Sequence, residues 1–227
     1  MEREQSIWII VPAYNEAHAL AVPLQALCEQ YQHVVVVNDG STDETAAVAS
    51  RFPVYLLNHL FNLGQGAALR TGMDFALQQG SQTLVTFDAD GQHSEEDVAA
   101  VARPVQQGEV DVALGSRFLG SAEGIPTSRR ILLKLAVAFT RIFSRLRVTD
   151  THNGLRAFSR TAATRIRITE DGMAHASEIL DEVQRQKLRY CEVPVRVHYS
   201  PESIGKGQSN WQAVKIGCQF LFGRLLR

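Results

Sequence analysis

The segment FDADGQH, at positions 87–93, sets two aspartates two residues apart and a glutamine two further on. In an extended chain the side chains at i and i+2 face the same way, so Asp88 and Asp90 can converge on one point. Two carboxylates held together repel unless a positive charge lies between them. A hard, oxygen-preferring cation, Mg²⁺ or Mn²⁺, is the natural partner, with waters and substrate phosphates as its remaining ligands. Gln92 can add a carbonyl oxygen, while His93 reads as a cap for the following helix or as a neutral neighbour. A solvated turn carries the same letters, but the position directly after the apolar run TLVTF (83–87) favours a site.

Three further segments of unusual composition recur at matching places: PAYNE (12–16), NDGSTD (38–43) and NLGQG (62–66). Asp39 follows the run VVVV, where a carboxylate can accept from the ring N–H of a uracil or guanine. Ser41, Thr42 and Asp43 read as an N-cap for the next helix. NLGQGAALRTG puts Gly64 and Gly66 before a helix with Arg70 one turn in, a pattern that suits an anion at a helix N-terminus. It is neither G-x-G-x-x-G nor a Walker sequence. Ser, Asp, Asn and Gly are also what turns and caps prefer, so each segment alone has a structural reading; four at one sheet edge point to a single site.

The elements that must position them alternate. The β-branched runs 7–11, 34–37, 54–57 and 83–87 are separated by helical stretches at about 16–31, 43–51 and 66–79. A helix at about 94–106, strand 111–116, a loop-rich segment 149–158, a helix around 175–186, strand 191–198 and a helix from about 209 follow. Continuous apolar strands alternating with helices predict an α/β fold, a Rossmann-like, mostly parallel sheet flanked by helices. Ligands of such a sheet sit outside the carboxyl ends of its strands.

PAYNE, VVNDGSTD, N-x-G-x-G-x-A-x-R-x-G, DADGQH, GSRF (115–118) and DTHNGLRAF (150–158) occur in the order found in family 2 glycosyltransferases. Over residues 7 to about 200 the chain resembles the branch that includes dolichol-phosphate mannosyltransferase and bacterial polyprenyl-phosphate glycosyltransferases. The resemblance implies a GT-A fold and inverting transfer of a sugar from a UDP- or GDP-sugar to a polyprenyl phosphate. It implies that Pro12, Tyr14, Glu16, Asp39, Gly64, Arg70, Asp88 and Ala89 line the nucleotide side. Asp88, Asp90 and Gln92 would hold Mg²⁺ or Mn²⁺. Arg117 would contact the donor phosphates, and Arg129 or Arg130 the acceptor phosphate. The pattern departs at Gln65, where the family usually carries lysine.

A lipid phosphate is largely ionised at neutral pH and attacks without a general base; a hydroxyl acceptor, glycan or small molecule, requires one. Asp150 is the candidate base, and it also reads as a cap of the Asn153-Gly154 turn. A nucleotide-binding module without catalysis is a further reading. His175 and Glu178, at i and i+3 of one helix, read as packing residues, with Glu178 the better candidate for a part in the site.

At 227 residues the chain is read as one domain, 1–227: a nucleotide-sugar-binding half to about 120 and an acceptor-side half from about 121. A net charge of −1 gives no global field for nucleic acid. Three scattered cysteines without a CxxC pair argue against structural zinc. From Ile125 to Thr149, however, Arg129, Arg130, Lys134, Arg141, Arg145 and Arg147 stand without one acidic residue. Leu132, Leu135, Ala136, Phe139, Ile142, Phe143 and Leu146 keep helical spacing there, as an interfacial helix does; a core helix with a basic outer face has the same pattern. No signal peptide or spanning segment is read. The expected location is cytoplasmic, peripheral on the cytoplasmic membrane face, with a small membrane-protein partner conceivable for helix 209–227. Segments 123–128 and 200–210 read as gates.

Overall fold

The computed structural model describes residues 4–123, 125, 130, 131, 133, 137 and 146–199. Among them seven strands form one sheet: β1 (Glu4–Ala13), β2 (Tyr31–Asn38), β3 (Tyr55–Asn58), β4 (Thr83–Thr86), β5 (Val112–Glu123), β6 (Arg156–Ser159) and β7 (Tyr190–His198). Their order is β3-β2-β1-β4-β6-β5-β7. The helices are α1 (Ala21–Gln30), α2 (Thr45–Ala49), α3 (Gln65–Gln78), α4 (Glu96–Gln106), α5 (Arg160–Arg165) and α6 (His175–Arg185).

Alternate residues of the central strands enter opposite layers, which is why these strands read as unbroken apolar runs. Ile7, Ile9 and Val11 of β1 and Val34 and Val36 of β2 pack with Leu24 and Leu27 of α1 and Val98 and Val101 of α4. Ile10, Val35, Val37 and Leu84 face the other way, onto Ala68 and Met73 of α3 and Ile179 and Val183 of α6. Burying an aliphatic side chain of this size contributes about 1.5–3 kcal/mol, so the two layers fix the sheet from both faces.

Strands β1 to β4 pair in parallel, as the alternation predicts. Two elements escaped the sequence pattern. The segment 149–158, predicted as loop, contains the start of β6, which lies in mid-sheet and antiparallel to both β4 and β5. The short α5 follows it at once, capped by the Ser159 hydroxyl accepting from Ala162 N at 3.1 Å. Because β6 runs backwards, the residues just before it lie at the carboxyl end of β4. The topology thereby folds DTHNG against DADGQH.

Candidate active site

The loops after β1 and β2 are sewn together. The Asn15 N–H donates to the Ser41 hydroxyl at 2.9 Å, Glu16 N–H to the Thr45 hydroxyl at 2.9 Å and Ala17 N–H to Asp43 Oδ2 at 3.1 Å. Thr42 N–H returns to Asn15 Oδ1 at 2.9 Å, with Asn15 in the left-handed region at φ 53. NDGSTD lashes the two loops together and also caps α2, since Asp43 Oδ1 accepts from Thr45 N at 2.9 Å; Ser41 and Thr42 serve the loops, and Glu44, in the cap position itself, makes no side-chain cap bond. Pro12 is buried, Tyr14 exposed and Glu16 half-buried at this edge.

Asp39 is only 2% exposed. Its Oδ1 lies 2.7 Å from His59 Nδ1 and accepts from Leu63 N at 3.0 Å, while Oδ2 accepts from Gly64 N at 2.8 Å. In this structure it binds the loop after β3 to the end of β2. That loop enters α3 through Gly64, at φ +109, where an added Cβ would lie 2.3 Å from the Asp171 carbonyl oxygen. Glycine is needed there for conformation and for room. The same carbonyl accepts from Gly66 N at 2.7 Å and Ala67 N at 3.2 Å. The anion cradle expected at this helix start is thus filled by the protein's own backbone. Arg70 is engaged in the same place, donating to Ile168 O and Asp171 Oδ1, both at 2.9 Å.

β4 ends at Thr86, so Asp88 and Asp90 stand in a turn with Gly91 at φ +71, not on an extended strand. Asp88 is held on three sides. Gln65 Nε2 donates to its Oδ1 at 3.1 Å, and His93 Nε2 lies 3.3 Å from its Oδ2. A Cβ on Gly154 would come within 2.0 Å of that same Oδ2, so only glycine lets DTHNG approach this closely. The Thr86 hydroxyl fixes the approach by donating to Gly154 O at 2.6 Å. Burial alone disfavours the Asp88 charge; the hydrogen bond and charge of His93, with His175 and Arg156 further off, nevertheless hold its pKa below the usual value. Asp90 goes the other way. Burial, and then the charge of Asp88, push its carboxyl up to about 6 despite the bond it accepts from Gln92 N at 3.0 Å.

Two carboxylates in one turn, one raised by burial and then by the other's charge, form an all-oxygen pair that suits Mg²⁺ or Mn²⁺. Among the described residues no group of three or more His, Cys, Asp or Glu is arranged around a metal, so water and phosphate oxygens would complete the shell. Gln92 is half-buried beside Asp90, and its backbone carbonyl accepts from His198 N at 2.9 Å, which ties the end of β7 to the acidic turn. His93 supports Asp88 rather than capping α4.

Arg117 of β5 is buried and doubly held. Its Nε donates to Asp150 Oδ2 at 2.5 Å, its backbone N–H to the same oxygen at 3.1 Å, and its Nη1 to the Tyr199 hydroxyl. Asp150, 3% exposed, also accepts from His152 N at 3.2 Å. A carboxylate so committed orients a guanidinium. Behind it Arg156 is buried among carbonyls, donating to Asn153 O at 2.9 Å, Thr151 O at 3.0 Å and Ala176 O at 3.2 Å. Burial lowers its pKa to about 10, with Asp88 and Asp150 opposing, so it stays charged at neutral pH. Glu178 is engaged with the segment before α6, accepting from Thr169 N and Glu170 N at 2.9 Å and from the Thr169 hydroxyl at 2.5 Å.

The structure thus brings Asp88, Ala89, Asp90 and Gln92 to one edge with Gln65, His93 and Gly154. Asp39, Gly64 and Arg70 organise the neighbouring loop. Arg130 is helical and exposed; Arg129, most of the basic helix and both gates and helix 209–227, apart from isolated positions, lie outside the described residues. Sequence reasoning passed over Arg156 and Tyr199, and read Gly154 only as a turn residue. An arginine interrupting the apolar run LRAF was the available sign for the first; the other two act by long-range contacts that spacing does not encode.

Among known proteins, the model of the family described as "Glycosyl transferase family 2" matches residues 8–167. The chain is 30% identical over 246 residues to the UDP-N-acetylglucosamine–dolichyl-phosphate N-acetylglucosaminyltransferase of Methanococcus voltae, covering 98% of this chain and 96% of that one. It is 32% identical over 173 residues to the polyprenol monophosphomannose synthase of Mycolicibacterium smegmatis, covering 71% and 64%. Among solved structures, glucosyl-3-phosphoglycerate synthase from Mycobacterium tuberculosis, in complex with Mn²⁺, uridine diphosphate and glucosyl-3-phosphoglycerate, superposes with a TM-score of 0.69 at 17% identity, covering 96% of this chain and 77% of that one.

Proposed function

Because the chain belongs to glycosyl transferase family 2, we propose that it moves a sugar, with inversion, from a UDP- or GDP-sugar to the phosphate of a polyprenyl lipid. The observation that carries the donor half is the turn in which Asp88 and Asp90 stand together, one stabilised as an anion and the other short of a counter-charge. The Mycobacterium tuberculosis synthase of the same fold, in complex with Mn²⁺ and uridine diphosphate, supports a divalent metal at that turn. The acceptor half is supported by similarity over nearly the full length to an enzyme named for dolichyl phosphate.

In this reading Asp88, Asp90 and Gln92 hold Mg²⁺ or Mn²⁺, which when bound neutralises charge on the departing diphosphate. Pro12, Tyr14, Glu16, Asp39 and Ala89 border the nucleoside. Asp39, Gly64 and Arg70 act there by fixing the loop after β3. Arg117 meets the donor phosphates, held ready by Asp150 and Tyr199; donors preorganised in a buried setting stabilise developing charge without reorganising. Asp150, the base that a hydroxyl acceptor requires, serves here to aim Arg117, and an ionised lipid phosphate attacks without a base. Arg129 or Arg130 receives that phosphate, and the basic stretch rests against the cytoplasmic membrane face.

The test is incubation with Mn²⁺, labelled UDP- and GDP-sugars and a short polyprenyl phosphate, followed by extraction into organic solvent. Metal-dependent labelled lipid is expected, and its loss in Asp90→Asn. Labelling of soluble sugars alone, abolished in Asp150→Asn, would overturn the lipid acceptor in favour of a hydroxyl.

A further inference from the structure

We propose that Gln65 is a positioning residue that sets the site's cation affinity, by orienting Asp88 without neutralising it. The inference rests on the metal reading above and adds to it the part played by one uncharged amide.

Gln65 is launched from a fixed point. It is the first residue of α3, between Gly64 at φ +109 and Gly66, whose added Cβ would meet Glu170 O at 2.0 Å. The backbone N–H groups of Gly66 and Ala67 are anchored on Asp171 O. A side chain leaving so rigid a helix start has little freedom, and its Nε2 lands 3.1 Å from Asp88 Oδ1. With His93 Nε2 at 3.3 Å from Oδ2 and Gly154 closing the flank, Asp88 cannot rotate without losing a partner.

The character of that partner decides what the pair can bind. An amide N–H donates a hydrogen bond and brings no net charge, so it fixes the direction of the carboxylate lone pairs and leaves its negative charge for a cation. An ammonium group at this position would satisfy the same oxygen and repel a divalent ion in the same turn. A carboxylate there would add a third negative charge. Such effects act strongly between groups a few ångströms apart in a partly desolvated site.

Mn²⁺ binding to the full chain, alone and with UDP or GDP, is to be measured by titration calorimetry for wild type, Gln65→Glu, Gln65→Met and Gln65→Lys. Melting temperatures monitor the fold of each variant. The expected affinity order is Glu tightest, then Gln, then Met, with Lys at least about tenfold weaker than wild type. A side chain that merely fills space would leave Gln65→Met binding Mn²⁺ as the wild type does, since only Glu and Lys change the local charge. Wild-type Mn²⁺ binding with Gln65→Met unchanged, or with Gln65→Lys and Gln65→Glu unchanged or shifted together, overturns the role of Gln65 and spares the metal site. Absence of Mn²⁺ binding by the wild type under every condition overturns the metal reading itself, and this inference with it.

Discussion

The carboxyl of Asp90 is pushed up to about 6 from its ordinary 3.8, so the folded chain binds a proton there more tightly than the unfolded chain does. Stability therefore gains as pH falls from about 6 toward 4, and the penalty of the charged form is fully present above about 6. Asp90→Asn is expected to raise the melting temperature at pH 7.5 by about 2–6 °C and to show little gain at pH 4. Mn²⁺ should stabilise the wild type and leave the variant unmoved, which thermal melts at the two pH values will show. Gly154→Ala acts on the other aspartate: its methyl group would occupy the place of Asp88 Oδ2. A displacement of this kind at a reacting centre lowers transfer by about 10²-fold, while the fold survives; steady-state rates beside circular dichroism test this. Much at this scale was legible in the letters. Asp88 and Asp90 stand in one turn directly after an apolar strand, and their type and place announce it. Gln65 and Tyr199 do their work across the sheet, and no local spacing records such partners.

At the scale of elements, the glycines at the start of α3 were read as a cradle for an anion, and the place is taken instead by the protein's own backbone. The visitor is the Asp171 carbonyl, part of a segment that Glu178 holds in place through three hydrogen bonds. Glu178→Ala removes the acceptor of two backbone N–H groups and a hydroxyl on a partly exposed segment, and is expected to cost about 1–3 kcal/mol, or about 2–12 °C in melting temperature. Transfer should fall as α3 and Gln65 loosen; denaturant unfolding with activity assays at low temperature separates the two effects. Strands β1 to β4 were readable because both faces of the sheet are covered, which leaves unbroken apolar runs. β6 was not: it has four residues, and two of them, Arg156 and Ser159, are polar. Its place in the sheet comes from pairing with β4 and β5, a tertiary choice that overrides weak local preference.

At the scale of the molecule, a net charge of −1 conceals a basic stretch from Arg129 to Arg147. Binding to vesicles containing anionic lipid is expected and should weaken as salt rises past the range where exposed charges are screened; sedimentation with Arg129→Ala/Arg130→Ala as comparison measures it. The halves foreseen on either side of residue 120 share one sheet, with β6 seated between β4 and β5. That placement has a temporal consequence. During synthesis β1 to β4 leave the ribosome with Asp88 already in the chain, yet Gly154, Thr151 and Arg156 are still unmade. The acidic turn acquires its wall only after β6 has threaded into mid-sheet, a slow, non-local pairing. A nascent chain truncated at residue 150 would expose β4 as a raw edge; the candidate site can close only once the chain has grown past β6.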